Sequence, residues 1–326
     1  MPHTRRIGSS SSRPEAASRG GASRSRPTTY RQPGELKEVF GAYAFIAPTT
    51  ILLVVFYFVP LIETVYYSFT TWNPDSIAGA KPVGFRNYSA LASTSDFFGS
   101  LGHTFEYLIV TVPASILVGL ILALLLNRPF RGRSIYRTLI FIPYIAPIVG
   151  SALVFSYVLS PLGGIANGVL GSLGIAPINF LNQEPWAMAS VIAFSVWQVA
   201  GFNMIIYLAA LGSVPDVYYE ASLVDGASWT DRFRHITWPL IWPSTMFLLV
   251  IGVINSIQVF TQVYVLTGGG PLNSTQVIID WIYQQSFVNL NGGLATAGSV
   301  VLFLIGMILT LLQLRFLGRR HTAMLS

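Results

Sequence analysis

The sequence predicts an all-α integral membrane protein with six transmembrane helices, and three observations point to it. Hydrophobic residues fill 52% of its 326 positions and charged residues only 10%, outside the balance of a soluble domain. The apolar residues gather into six blocks, each long enough to cross a hydrocarbon core of about 30 Å, which needs roughly 20 helical residues. The cations, finally, are confined to alternate gaps. Of 19 Lys and Arg, eight precede the first block, four follow the second, two lie between the fourth and fifth and three sit at the C-terminal end; only Lys81 and Arg86 fall on the other side. By the positive-inside rule, both termini and the gap between blocks four and five face the cytoplasm.

Residues 1–39 are rich in Ser, Arg, Gly and Pro and cannot bury enough apolar surface to order themselves. They read as a disordered basic cytoplasmic tail ahead of a six-span domain over 40–326. The tail's charge suits anionic headgroups or plain solvation with a topological role. Arg5-Arg6 stands too far from the first apolar run for a twin-arginine signal, and no small-residue cleavage site follows that run, so it reads as a retained span. The spans fall near 41–66, 104–127, 138–160, 187–211, 240–266 and 295–317. Pro48, Pro60, Pro113, Pro143 and Pro147 lie inside them, each a hinge or a static kink, tolerated where neighbours satisfy the freed carbonyl.

Several function classes are excluded early. With no cysteine there is no disulfide, thiolate metal site or Cys nucleophile. His3, His103, His235 and His321 are scattered, so no metal site is expected. Neither Lys37 nor Lys81 completes a phosphate-binding G-x-x-x-x-G-K-[ST] loop. The basic residues are not interleaved with aromatics, which argues against nucleic acid. No ionisable residue lies near the middle of a span, against a proton relay, although a sodium-coupled carrier using backbone carbonyls stays open. An uncharged pathway suits an uncharged, hydroxyl-rich solute.

The longest polar interruption of the second half, Ser213 to Pro239, reads as two short helices with a bend. Ser213 with Asp216 and Ser228 with Asp231 have capping-box spacing. Asp225-Gly226 supplies a stop, and Pro239 bars a simple continuation of the second helix. Val214, Val217, Tyr218, Ala221 and Val224 share one face. Asp216 and Glu220 give an acidic edge near a helix N-terminus, where negative charge is favoured. On residues alone this is either a solvated polar face or a docking helix.

In the fifth span Asn255, Gln258 and Gln262 recur at i, i+3 and i+7, one helix face. Carboxamides donate and accept, as sugar hydroxyls do. Trp197, Gln198 and Asn203 of the fourth span are candidates to add an aromatic surface and polar contacts. Either set lines a solute path or bonds helix to helix.

Glu220-Ala221-Ser222, Gly226 after three residues, and Ile236 with Pro239 resemble the EAA loop of ABC-importer permeases: E-A-A, three residues, G, nine residues, I-x-L-P. Ser222 and Trp238 depart from that pattern and leave the bend and the Glu intact. Ser195-Val196-Trp197, the run from Leu266 to Pro271, and Phe85-Arg86-Asn87-Tyr88 extend the resemblance over most of 40–318. They look like the carbohydrate-uptake permeases related to the maltose and glycerol-3-phosphate systems. The resemblance implies a type I ABC-importer permease-like bundle in the cell membrane with a cytoplasmic coupling helix and no catalytic site. It implies a second permease subunit, two cytoplasmic ATPase subunits that bind ATP and Mg, and an extracytoplasmic solute-binding protein touching the Gly-rich outer loops. The cargo would be a sugar or polyol, and the chain itself would hold no cofactor. The alternative class is a self-sufficient secondary carrier or channel; a membrane enzyme lacks any clustered acid, base or nucleophile.

Overall fold

The computed structural model describes residues 35–75 and 79–324, with side chains over 41–75 and 79–315. Residues 1–34, most of the expected tail, lie outside the described residues. The chain divides into two units, Met1–Phe58 and Val59–Ser326.

In the first unit, helix α1 (Glu35–Leu53) is followed by a π-helical turn, Val54–Phe58. The helix begins at Glu35, inside the segment assigned to the tail. Pro48 sits within it without ending it. The candidate span Gly41–Tyr67 has none of its apolar window buried.

The second unit opens with α2 (Val59–Tyr67) and α3 (Arg86–Ala92). The Phe85–Tyr88 motif there is a fastener. Asn87 donates from Nδ2 to the carbonyls of Ser68 and Thr70 at 2.9 and 2.8 Å, and the Tyr88 and Ser68 hydroxyls lie 2.8 Å apart. The long helix α4 (Ser95–Asn127) carries Pro113 without a break. Its last turn is closed by Arg137, whose Nη2 donates to the Leu126 carbonyl at 2.9 Å. A cation at a helix C-terminus meets the negative end of the dipole.

The third span is not one rod. Helices α5 (Arg133–Ile145) and α6 (Ile148–Val158) meet at 102°. The cause is Pro147, which lacks a donor and pushes Ala146 out of the helical region to φ −63°, ψ 145°. After α7 (Ile165–Ser172) comes α8 (Trp186–Gly212), the most enclosed of the candidate spans, with half of its apolar window buried. Helix α8 packs along α4, α5 and α11 (Trp238–Ile257). Small residues permit this approach: a Cβ on Gly119 would strike Asn203, and one on Gly201 would strike the Ile140 carbonyl.

Between α8 and α11 lie α9 (Asp216–Val224) and α10 (Trp229–Arg232). Contrary to expectation, Pro239 does not stop the second helix. A π-helical turn, Phe233–Thr237, joins α10 to α11 in one helical run, Trp229–Ile257. The wider turn is the kind of local adjustment by which a helix accommodates a proline, and Pro239 sits in the first positions of α11. The fifth span in turn ends earlier than expected, at Ile257, and resumes as α12 (Thr261–Leu266). Helices α13 (Ile278–Tyr283) and α14 (Gly292–Met324) complete the chain. The described residues thus hold five helices able to cross a membrane, or six with the bent pair as one span, and no named strand.

Candidate functional site

Helix α9 is defined at its exit more sharply than at its entry. Ser213 does not cap it: this residue closes α8 instead, its Oγ donating to the Ala210 carbonyl at 2.8 Å, and Pro215 occupies the N-cap of α9. The exit is a Schellman turn. Ala227 N–H donates to the Ser222 carbonyl at 2.9 Å and Gly226 N–H to that of Leu223 at 3.1 Å, while Gly226 takes φ +72°. The second expected cap is present, Ser228 accepting from Asp231 N–H at 3.2 Å and Asp231 accepting in return from Ser228 N–H.

This geometry gives α9 two faces. Tyr219 and Ser222 turn inward; the Tyr219 hydroxyl meets Thr237 Oγ1 at 3.0 Å, and Ser222 is buried. Ile236 and Pro239, half-buried, belong to the segment beneath. Asp216, Glu220, Ala221 and Asp225 are exposed together with Val217, Leu223 and Val224, the last 89% exposed. The outward side of α9 is thus an exposed apolar patch carrying two carboxylates at helical spacing.

The polar residues of the spans are not gathered around one lumen. Because the helix ends at Ile257, Asn255, Gln258 and Gln262 do not continue a single face. Asn255 and Gln258 are exposed, and Gln258 lines a largely apolar groove of about 580 Å³ between α11, α13 and α14. Gln262 turns instead toward Tyr107 of α4, its Nε2 at 3.5 Å from the hydroxyl. Trp197 lines a different groove, of about 610 Å³, against α4 and α5. Gln198 and Asn203 are buried, and Asn203 sits in the α4–α8 contact at Gly119.

Three features escaped the sequence reading. Ser100, Thr104, Tyr107, Thr111 and Ser115 form a buried polar line along α4, legible as helical spacing in an apolar block. Its outer members anchor the segment before α13: Ser100 Oγ donates to Gln276 Oε1 at 3.1 Å, and Ile278 N–H to Thr104 Oγ1 at 2.9 Å. The second is an aromatic chain in which Phe260 stacks on Tyr264 at 5.2 Å, and Tyr283 touches both and Phe287. Two i, i+4 pairs in the sequence signal it. The third is Asp280, fully buried with neither oxygen in hydrogen-bonding geometry to a donor among the described residues. Burial pushes its carboxyl above the ordinary range, and Gln276 alongside pulls it partly back. It lies against Gly269 of the Gly-rich turn, where φ is +82° and a Cβ would come within 2.9 Å of Oδ2.

Residues 115–321 match the family described as the binding-protein-dependent transport system inner membrane component. This chain belongs to that family. The permease SmoG of the sulfoquinovosyl glycerol transport system of Agrobacterium fabrum is 34% identical over 276 residues, 85% of this chain and 90% of that protein. The sn-glycerol-3-phosphate permease UgpA of the same organism is 34% identical over 283 residues, 85% and 94% of the two chains. The trehalose/maltose permease MalF of Thermococcus litoralis is 32% identical over 278 residues, 84% and 92%. Among solved structures, a bacterial ABC transporter that imports the acidic polysaccharide alginate superposes with a TM-score of 0.78 at 26% identity, covering 88% of this chain and 97% of that one. As an inner-membrane component of this family, the chain is an ABC-importer permease with the bundle those structures share.

Proposed function

We propose that this permease carries a carbohydrate or polyol that an extracytoplasmic binding protein delivers, in a complex with a second permease and two cytoplasmic ATPase subunits. ATP and Mg are held by the ATPases, and this chain converts their movement into a change of access. The observation that carries the reading is the outward face of α9, where Glu220 and Asp216 stand among uncovered Val217, Leu223 and Val224 beside the Gly226 turn. The elbow formed by α9 and α10 reaches the membrane through one continuous helical run, Trp229–Ile257, of 29 residues. At 1.5 Å per residue that rod is about 43 Å long, enough to carry a push from the elbow across the bilayer to the break at Gln258.

The cargo class rests on the relatives. SmoG, UgpA and MalF are named for sulfoquinovosyl glycerol, sn-glycerol-3-phosphate and trehalose/maltose, and a second alginate transporter structure holds a periplasmic protein bound to an alginate pentasaccharide. All these cargoes are rich in hydroxyls. Asn255 and Gln258, exposed at the end of α11, offer carboxamides to such groups.

The orientation follows from the cations: Arg128, Arg131, Arg133, Arg137, Arg232 and Arg234 share the side of the elbow, which we assign to the cytoplasm together with both termini. The chain has no cysteine, so single cysteines at Val224 and Leu272, 89% and 98% exposed, report the sides directly. An impermeant maleimide added outside intact cells should modify the Leu272 variant and spare the Val224 variant.

The decisive experiment is ATPase capture. A charge-assisted hydrogen bond from Glu220 to a partner donor is roughly twice as strong as a neutral one. Glu220→Ala should insert normally yet lose ATPase co-purification and uptake together. Undiminished capture and uptake in a Glu220→Ala, Gly226→Val variant would remove α9 as the docking element.

A further inference from the structure

Behind α9, on the side away from Glu220, lies a cavity of about 320 Å³ that the docking reading does not use. It is framed by the end of α4 and the start of the next loop, Asn127 and Arg128, by Tyr219 of α9, and by Trp229 and Arg232 of α10. Among the described residues, no acidic side chain lines it. Arg232 is half-buried, and its Nε is sealed from solvent without a hydrogen-bond partner. A guanidinium N–H withdrawn from water and left unpaired is costly unless an acceptor arrives. The Tyr219 hydroxyl, which also lines the cavity, is paired with Thr237 Oγ1 at 3.0 Å.

The feature that most opposes an anion here is the carbonyl end of α4. One of its carbonyls, that of Leu126, is already taken by Arg137. Its apolar wall is formed by Leu124, Leu211 and the Trp229–Phe233 pair, whose rings stack at 5.6 Å and 12°. Two arginines from different elements, an apolar wall and no carboxylate among the described lining residues make a pocket for a phosphate carried on something greasy or compact. Basic pockets between transmembrane helices at a membrane face favour anionic headgroups on the same grounds.

We propose that this cavity binds a phosphate group through Arg128 and Arg232. The guanidinium fork matches phosphate oxygens two at a time, which lysine cannot do. A bound phosphate joins the α4 end to α10 on the inner side of the elbow, so its occupancy governs how freely the elbow moves without touching the outward face of α9.

The test uses the complete transporter purified in neutral detergent and in nanodiscs. One arm measures the thermal midpoint during titration with inorganic phosphate. The other measures phosphatidylglycerol retained from nanodiscs of mixed phosphatidylglycerol and phosphatidylcholine. Arg128→Gln with Arg232→Gln should abolish the response that wild type gives, whereas Arg131→Gln with Arg133→Gln, which removes the same charge from positions that do not line the cavity, should preserve it. A response to phosphate alone assigns a soluble phosphate ester, and enrichment of phosphatidylglycerol alone assigns a lipid headgroup. Should the glutamine pair fail to assemble, Arg128→Lys with Arg232→Lys keeps the charge and loses the fork, and its response should be weakened. Wild type that answers neither probe, or cavity variants that answer as wild type does, would overturn the site.

Discussion

The Tyr219 hydroxyl lies 3.0 Å from Thr237 Oγ1, while the next residue, Glu220, faces away from it into solvent. One turn of α9 therefore holds the π-helical turn beneath it and leaves a carboxylate exposed on its outer side, where the proposed ATPase contact would form. These are separable tasks. Tyr219→Phe removes a neutral hydrogen bond worth about 0.5–1.5 kcal/mol and leaves the outer face untouched. Its ATPase co-purification should match wild type, and solute imported per ATP hydrolysed should fall. Normal coupling in this variant would show that the elbow transmits force by packing alone.

Glycines in this chain fail in two distinct ways when a methyl is added. At Gly226 nothing lies within 4 Å of a new Cβ, but φ is +72°. Gly226→Ala should cost about 1–2 kcal/mol through the backbone and disturb the exit of α9 alone, reducing uptake while the bundle stays folded. At Gly201 the backbone is ordinary helix and a Cβ would strike the Ile140 carbonyl of α5. Gly201→Ala should therefore lower the yield of folded protein and its thermal midpoint. Comparing midpoints and uptake of the two variants checks both claims.

Asp280 gives a pH prediction whose sign is fixed by burial. Its carboxyl is raised in the folded chain, so it costs stability once the pH passes the unfolded value of about 3.9. That loss grows with pH until the folded carboxyl also ionises. Asp280→Asn is neutral throughout and of similar size. Between pH 4 and 7 the thermal midpoint of the variant should fall less, or rise more, than that of wild type. A variant less stable than wild type at pH 7 would mean that the ionised carboxylate has a stabilising partner.

Much of this architecture is legible in the residues because the bilayer imposes it. Six apolar blocks, their lopsided cations and the Gly226 stop translate directly into helices, since a span without internal hydrogen bonding is not viable in lipid. What the residues conceal is the response to proline. Pro113 leaves α4 unbroken and Pro147 bends the third span by 102°, while Pro239 is absorbed by a π-helical turn. Which of these occurs depends on packing from other segments rather than on the local sequence. The same holds at Ser213, whose capping-box spacing is genuine in the sequence but whose side chain serves α8. The carboxamide stripe misleads for a related reason: periodicity assumes an unbroken helix, and α11 ends at Ile257.

That break sharpens the prediction for the solute path. Gln258 is the first residue past α11 and is exposed in the groove against α13 and α14, whereas Asn203 is sealed against Gly119 and Gln262 is drawn to Tyr107. An exposed carboxamide in an apolar groove has capacity left for a hydroxyl-rich solute; a buried one is occupied with holding helices. Gln258→Leu should therefore reduce uptake strongly while the thermal midpoint, assembly and receptor-stimulated ATP hydrolysis stay near wild type. Asn203→Leu should do the reverse, lowering the midpoint because the larger side chain cannot fit beside Gly119. Overpacking of this kind costs about 1–3 kcal/mol. Uptake assays and melting curves on the two variants separate the roles. If Gln258→Leu transports normally and Asn203→Leu fails only in uptake, the path runs along the α4–α8 contact instead.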